Sequence, residues 1–222
     1  MELSRRHLLG TGLAAGMVAT MARSSTVAEA VLKAPAQAAP SVPAQPRVIV
    51  DPAINPGLLA RARASFDRHR SVLTHTDTVA IADFSQASRE HRFFLLDTAS
   101  GRVSKHLVAH GRGSDPDHSG FVERFSNAIG SEASSNGAYV TGDYYPGKYG
   151  RSLRVAGLDP SNSNAFARAI VVHSAWYAEP EVAEQHGKLG RSEGCFALPY
   201  DSLQEVLQRM GRGRFIYADK LA

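Results

Sequence analysis

The chain carries a single cysteine, Cys195, in the run GRSEGCFALP (190–199). A lone thiol serves as a packed small hydrophobe, as half of an intermolecular link, or as a nucleophile. Its neighbours bear on the choice. Gly194 lets a substrate or another chain segment come close to the backbone. Ser192 is small and polar, and Arg191 brings a positive charge, which favours a thiolate. A thiolate nucleophile wants a base within hydrogen-bond reach, and histidine is the usual one. Of the nine histidines, His173 is the best placed, because the apolar run Ile170 to Val172 leads directly into it. A core strand of that kind fixes the ring rigidly, and the small residues Ser174 and Ala175 follow it. His110, beside Gly111, is a weaker candidate for a cleft. His69, His75, His91, His106, His118 and His186 have no partner motif and read as surface residues, and His7 lies in the N-terminal segment. The stretch between His173 and Cys195, with a short helix expected at 180–185, is long enough to fold back and bring the two together. A Cys–His pair of this kind suits acyl transfer, with the backbone N–H groups of Gly194 and Cys195 as candidate donors to an oxyanion. The histidines and the one cysteine show none of the usual zinc-ligand spacings. No metal or other cofactor is expected.

An unpaired cysteine gains meaning if the protein is exported, because oxidising compartments normally turn cysteines into disulfides. The first thirty residues, MELSRRHLLGTGLAAGMVATMARSSTVAEA, carry Ser4-Arg5-Arg6 followed by Leu8 and Leu9. They continue with a weakly apolar, glycine-containing run and end in Ala28-Glu29-Ala30, a small-residue cleavage site. This order resembles a twin-arginine export signal over residues 1–30. It places the mature protein in the periplasm or cell envelope, and an uncleaved signal would act as an anchor. Residues 31–46, rich in Ala, Pro and Gln, read as a flexible linker. The remaining span, 47–222, is one domain's worth of chain.

Composition narrows the class. With 43% apolar and 21% charged residues, the 222-residue chain is that of a soluble globular protein. No apolar run approaches the ~20 residues of a membrane span. The net charge of +4 comes without a basic stripe interleaved with aromatics, so nucleic acid is not an expected partner. A mildly basic surface does suit an acidic polymer. Oligomeric state is not legible.

The elements that must hold the pair are mostly strands. Residues 54–70 place Leu58, Leu59, Ala62 and Phe66 on one helical face, with Pro56 in the first turn. Thr78–Ser85 and His91–Thr98 are β-rich, and Arg102–Gly111 returns after a turn at Asp97–Gly101 as a hairpin. Arg112–Gly137, rich in Gly, Ser, Asn and Asp, reads as a long functional or mobile loop. A second strand pair flanks Pro146-Gly147. Residues 201–210 form an amphipathic helix with Asp201 or a neighbour as its cap, and RFIYAD (214–219) is a final strand. The expected fold is mainly β, a sandwich or partial barrel with a few short helices.

Against this background, IVVHSAWY followed by GRSEGCFALP resembles the active-site signature of the L,D-transpeptidase (YkuD-type) catalytic domain, and more narrowly its murein L,D-transpeptidase branch. FSNAIGSEASSNGAYVTGDYYPGKYGRSLRVAGLD (125–159) resembles the same branch in its Ser-Ser, Tyr-x-Thr-Gly and Gly-Lys-x-Gly elements. The resemblance covers Thr78 to Tyr217. It implies Cys195 as nucleophile, His173 as general base, and Ser192 and Gly194 as supporting motif positions. It also implies an L,D-transpeptidase-like β fold and peptidoglycan tetrapeptide stems as substrate. Attack on the L-centre carbonyl would release terminal D-alanine and leave a thioester, resolved by an amine acceptor. The same site with water as acceptor would be an L,D-carboxypeptidase, and loss of catalysis would leave a cell-wall binding module. Acceptor choice would depend on the 112–137 loop and on Tyr144, Tyr145 and Tyr149. Many members of the wider family carry histidine two residues before the cysteine, where this chain has Glu193. Its carboxylate is expected to point away from the thiol, toward Arg191.

Overall fold

The computed structural model describes residues 51–221. The expected export signal (1–30) and linker (31–46) lie outside the described residues. Eight strands build one sheet: β1 (Thr78–Asp83), β2 (Phe93–Asp97), β3 (Val103–His106), β4 (Gly137–Gly147), β5 (Gly150–Gly157), β6 (Val171–Ser174), β7 (Phe196–Leu198) and β8 (Phe215–Asp219). Three helices accompany them: α1 (Pro56–His69), α2 (Pro180–His186) and α3 (Tyr200–Arg209). The strand order is β3-β2-β1-β8-β4-β5-β6-β7. Just past β3, Ala109 pairs with Ala197 of β7, donating its N–H to the Ala197 carbonyl at 2.8 Å. That bridge joins the two edges, so the sheet curls into a nearly closed barrel, and both edge strands gain a partner.

Strand alternation sorts the side chains into an interior and an outer layer. Ala80, Phe93, Leu95, Tyr139, Leu153, Val172, Phe196 and Ile216 fill the interior. The intervening residues Val79, Ile81, Phe94, Leu96 and Phe215 face outward and are covered by Leu58 and Ala62 of α1. This double coverage explains why every residue of β1 is buried. The helix starts as its sequence suggests: Asn55 accepts from the Gly57 N–H at 2.9 Å, and Pro56 occupies the first turn. A third cluster of small residues, including Ala109, Ala175, Ala178 and Ala197, lies outside the barrel, under the segment that carries α2.

The mainly β expectation holds, with local differences. The β4–β5 turn lies at Lys148-Tyr149, one step beyond Pro146-Gly147, since Gly147 pairs with Gly150. Asp201 sits in the first turn of α3, and Pro199 takes the capping position. The last strand, β8, is central, parallel to β1 and antiparallel to β4. The 112–137 loop is ordered by its own interior: Ser114, Asp115, Val122, Ala133, Ser134 and Ser135 are buried.

Candidate active site

The segments that carry His173 and Cys195 lie side by side because β6 and β7 are parallel neighbours. Val172 pairs with Phe196 and His173 with Ala197. Val172 and Phe196 point into the barrel, so His173 and Ala197 point outward. Cys195 lies immediately before β7, after the left-handed Gly194. The imidazole thus projects outward from β6, and the thiol sits at the entrance to β7, against the Ala169 carbonyl just upstream of β6. The long connection between them crosses the outside of the barrel over the small-residue cluster.

The ring of His173 is held from two sides. Its Nδ1–H donates to the Ser174 carbonyl at 2.8 Å, which fixes the tautomer and leaves Nε2 as the basic nitrogen. Tyr149 stacks on it, with ring centroids 5.0 Å apart and planes 14° from parallel. Burial lowers the imidazole pKa, and the hydrogen bond to Ser174 opposes that only in part. The ring is therefore neutral at pH 7 and ready to accept a proton.

Cys195 rests as a thiol. Its S–H donates toward the Ala169 carbonyl at 3.6 Å, and Ala169 presents that carbonyl from a left-handed backbone conformation at φ +53°, unusual for a residue other than glycine. Burial pushes the thiol pKa up to about 11. The Val171 backbone N–H opposes this, Glu193 adds to it, and the Arg168 charge pulls it down. A thiol this weakly acidic needs a base to take its proton as it attacks, rather than a standing thiolate.

The motif residues before the cysteine build its turn. The Ser192 N–H donates to the His110 carbonyl at 2.8 Å, and the Arg112 N–H donates to the Ser192 carbonyl at 2.8 Å. Ser192 Oγ donates to the Cys195 carbonyl at 2.8 Å and accepts the Gly194 N–H at 3.1 Å. The Gly194 N–H can therefore reach an oxyanion only by exchanging that partner. Glycine itself is required at 194: φ is +112°, and a Cβ there would lie 2.6 Å from the Ala133 carbonyl oxygen.

Two charges differ from expectation. Arg191 does not face the thiol: its guanidinium donates to the Asp115 and Pro116 carbonyls and ties down the preceding loop. The cation beside the thiol is Arg168, which composition and spacing near the cysteine did not reveal. Glu193 does point into solvent, but its partner is Arg112, at 3.4 Å, and not Arg191. His106, expected at the surface, is buried beside Glu205.

His110 is also buried, in a network and not in a cleft. Its Nδ1 accepts from Arg92 at 2.8 Å and its Nε2–H donates to Asp115 at 3.1 Å. Desolvation, then the Arg92 charge, lower its pKa to about 3, so the ring is neutral. Asp115 in turn accepts the N–H groups of Ser119 and Gly120. Arg92, fully buried, donates to the Val108 and Gln86 carbonyls. This network anchors the 110–112 segment that hydrogen-bonds Ser192, and so supports the cysteine turn.

The chain matches the family model of the L,D-transpeptidase catalytic domain over residues 51–218. It belongs to that family. Among solved structures, an L,D-transpeptidase from Mycobacterium smegmatis is similar at 15% identity and a TM-score of 0.40, over 64% of this chain and 58% of that one. L,D-transpeptidase 3 from Mycobacterium tuberculosis, solved in complex with a faropenem-derived adduct, is similar at 14% identity and a TM-score of 0.41, over 64% and 60% of the two chains. A Bdellovibrio bacteriovorus protein is similar at 10% identity and a TM-score of 0.41, over 66% and 50%. The chain thus spans less than two thirds of the length of these relatives. No curated protein matches it.

Within this L,D-transpeptidase domain the three tyrosines of the β4–β5 hairpin have separate places. Tyr149 backs the imidazole, as described. Tyr144 turns inward and its hydroxyl donates to the Leu207 carbonyl of α3. Tyr145, one residue on, faces outward and lies under the guanidinium of Arg154, 4.3 Å from the ring centroid.

Proposed function

We propose that the domain is a cysteine acyltransferase of peptidoglycan stem peptides, with Cys195 as nucleophile and His173 as its base. The observation that carries this is the parallel pairing of β6 and β7, which sets the segment of a neutral imidazole with Nε2 available beside the segment of the chain's one thiol. Nε2 of His173 takes the thiol proton as Sγ attacks the L-centre carbonyl of a tetrapeptide stem. The tetrahedral oxyanion would draw on the Cys195 N–H and, after exchange from Ser192 Oγ, on the Gly194 N–H. Collapse breaks the peptide bond, and the imidazolium returns the proton to the departing D-alanine amine. The resulting thioester is attacked by an amine of a second stem, His173 again taking the proton, and the thiol is restored. Ser192 and Arg191 shape the turn and its supporting loop rather than touch the reacting atoms, while Gly194 both shapes the turn and offers its N–H to the oxyanion. No cofactor enters this scheme.

The N-terminal residues 1–30 support export by a twin-arginine route to the periplasm or cell envelope, where the polymer is found. Product analysis tests the reaction. Incubation with a tetrapeptide stem should release D-alanine, and an added amine acceptor should appear in a new cross-linked product. D-alanine release with the free tripeptide as sole product, despite saturating acceptor, would assign hydrolysis to the site instead.

A further inference from the structure

Two arginines other than Arg191 flank the region of the thiol, Arg168 beside it and Arg154 on β5, and they differ in one respect. Arg168 is engaged: it donates to the Ser126 carbonyl and Ser135 Oγ, each at 2.7 Å, and to the Ala133 carbonyl. Three of its five N–H groups hold the 126–135 segment against Gly194. Arg154 is exposed, and among the described residues its guanidinium has neither a carboxylate nor a hydrogen-bond acceptor. Its neighbours Arg212 and Arg214, by contrast, pair with Asp143 and Asp77.

Arg154 is nonetheless held in place. Its guanidinium carbon lies 4.3 Å from the ring centroid of Tyr145 and 5.9 Å from that of Phe166. Rings contacting the guanidinium through its face leave its N–H edge available, and that edge is the part that grips a carboxylate in two parallel hydrogen bonds. Phe166 is itself 63% exposed, so the platform opens to solvent.

Register places this arginine's strand next to β6, two strand positions from the cysteine segment. Arg154 pairs with Val171, and Leu153 and Val172, the next pair along, point inward. Arg154 therefore projects from the same outer face as His173. Val172 pairs with Phe196, so Val171 stands level with Cys195. Arg154 and Val171 point along a row that reaches Cys195 just before β7, which puts the arginine and the cysteine about 10 Å apart at their Cα atoms. The 166–169 turn links the two ends independently: Phe166 supports Arg154, while Ala169 accepts the thiol's hydrogen bond and donates its own N–H to the Phe166 carbonyl at 3.0 Å.

We infer that Arg154 is a specificity-determining residue that binds a carboxylate of the donor stem, on the part of the peptide retained in the thioester. This rests on the proposed acyl transfer for the identity of the peptide, since an acidic stem is what the thiol would engage. The occupant is an anionic peptide: a neutral one would leave the guanidinium as it stands now, while a carboxylate gains a bidentate partner on a preordered fork.

Titration calorimetry on Cys195→Ala protein, which binds but cannot acylate, tests this without relying on turnover. The probes are a tetrapeptide stem with free carboxylates and the same stem amidated singly at its second or third residue. Adding Arg154→Gln should weaken binding of the free stem about fivefold, the upper range for an exposed ion pair. One of the two amidated stems should show the same loss against Arg154, and no further loss against Arg154→Gln. Arg151→Gln, on the same hairpin but lying over Tyr144 on the inner-facing side (guanidinium 4.1 Å from the ring centroid), should leave the affinity unchanged. Equal affinities for Arg154 and Arg154→Gln, additive losses from amidation and substitution, or no binding of the stem would each overturn the inference. D-alanine release by the wild type, measured alongside, reads the proposed reaction separately: release with unchanged affinities refutes Arg154's role alone, and specific binding without release refutes the reaction alone.

Discussion

The resting thiol of Cys195 makes a quantitative prediction. With a pKa pushed up to about 11 by burial, about one molecule in a thousand carries a thiolate at pH 8. An unperturbed cysteine near 8.5 would have roughly one in four. Alkylation by iodoacetamide should therefore be about 200-fold slower than for a small free thiol at pH 8, and should climb about tenfold per pH unit to beyond pH 10. The slope, unlike the absolute rate, does not depend on access. Glu193→Gln is the informative perturbation, because the carboxylate two residues away adds to the shift while lying 72% exposed. At about 7 Å along the chain, and in a solvent-like dielectric, one charge is worth about 0.6 kcal/mol. That moves the midpoint down by roughly 0.4 of a pH unit and raises the rate at pH 8 about 2.5-fold. The assay is second-order alkylation followed by intact mass from pH 6 to 11. A wild-type midpoint below 9 would show a preformed thiolate–imidazolium pair and refute proton transfer during attack. A displacement of more than about one pH unit in Glu193→Gln would place that carboxylate against the sulfur, contrary to its contact with Arg112.

Other substitutions probe the supporting structure. Gly194→Ala combines a left-handed φ with a Cβ 2.6 Å from the Ala133 oxygen, so it should cost at least about 2 kcal/mol in urea unfolding and abolish acylation. An unchanged unfolding midpoint would contradict the geometry. Tyr149→Leu removes the ring stacked on His173 and should lower kcat about fivefold, with the fold intact by circular dichroism; an unchanged kcat would deny the ring any orienting role. His110, neutral and with a pKa lowered to about 3, binds a proton in the unfolded chain but not in the folded one between pH 6.5 and 3. Stability should accordingly fall as pH falls through that window, by about 2 kcal/mol between pH 7 and 5. Denaturant titrations at the two pH values check this, and a flat profile would mean that the Arg92–His110–Asp115 network is not closed as described.

Legibility in the sequence followed the range of each interaction. Strands with clear alternation or apolar runs, such as 78–83 and 171–173, and the hairpin at Asp97–Gly101 were readable because their signals are local. His173 and Cys195 were also singled out by local signals, a histidine near the end of a core strand and a thiol among small residues. The parallel pairing of β6 with β7, which sets their segments side by side, and the central position of β8 depend on sheet order and have no local signature. Charge was the least readable property. Arg191 is adjacent to the thiol in sequence, yet it binds loop carbonyls, while Arg168 arrives from 27 residues upstream. His106 read as a surface histidine and His110 as a cleft candidate because their burying partners, Glu205 and Arg92 with Asp115, lie outside their own local sequence.

The central claim, covalent acyl transfer at the His173–Cys195 pair, is tested most directly by intact mass after incubation with a tetrapeptide stem. The wild type should gain the mass of the stem less D-alanine, Cys195→Ala should gain nothing, and His173→Ala should acylate slowly. A wild type that releases D-alanine without any adduct on Cys195, or a Cys195→Ala protein that acylates as fast as the wild type, would contradict the account.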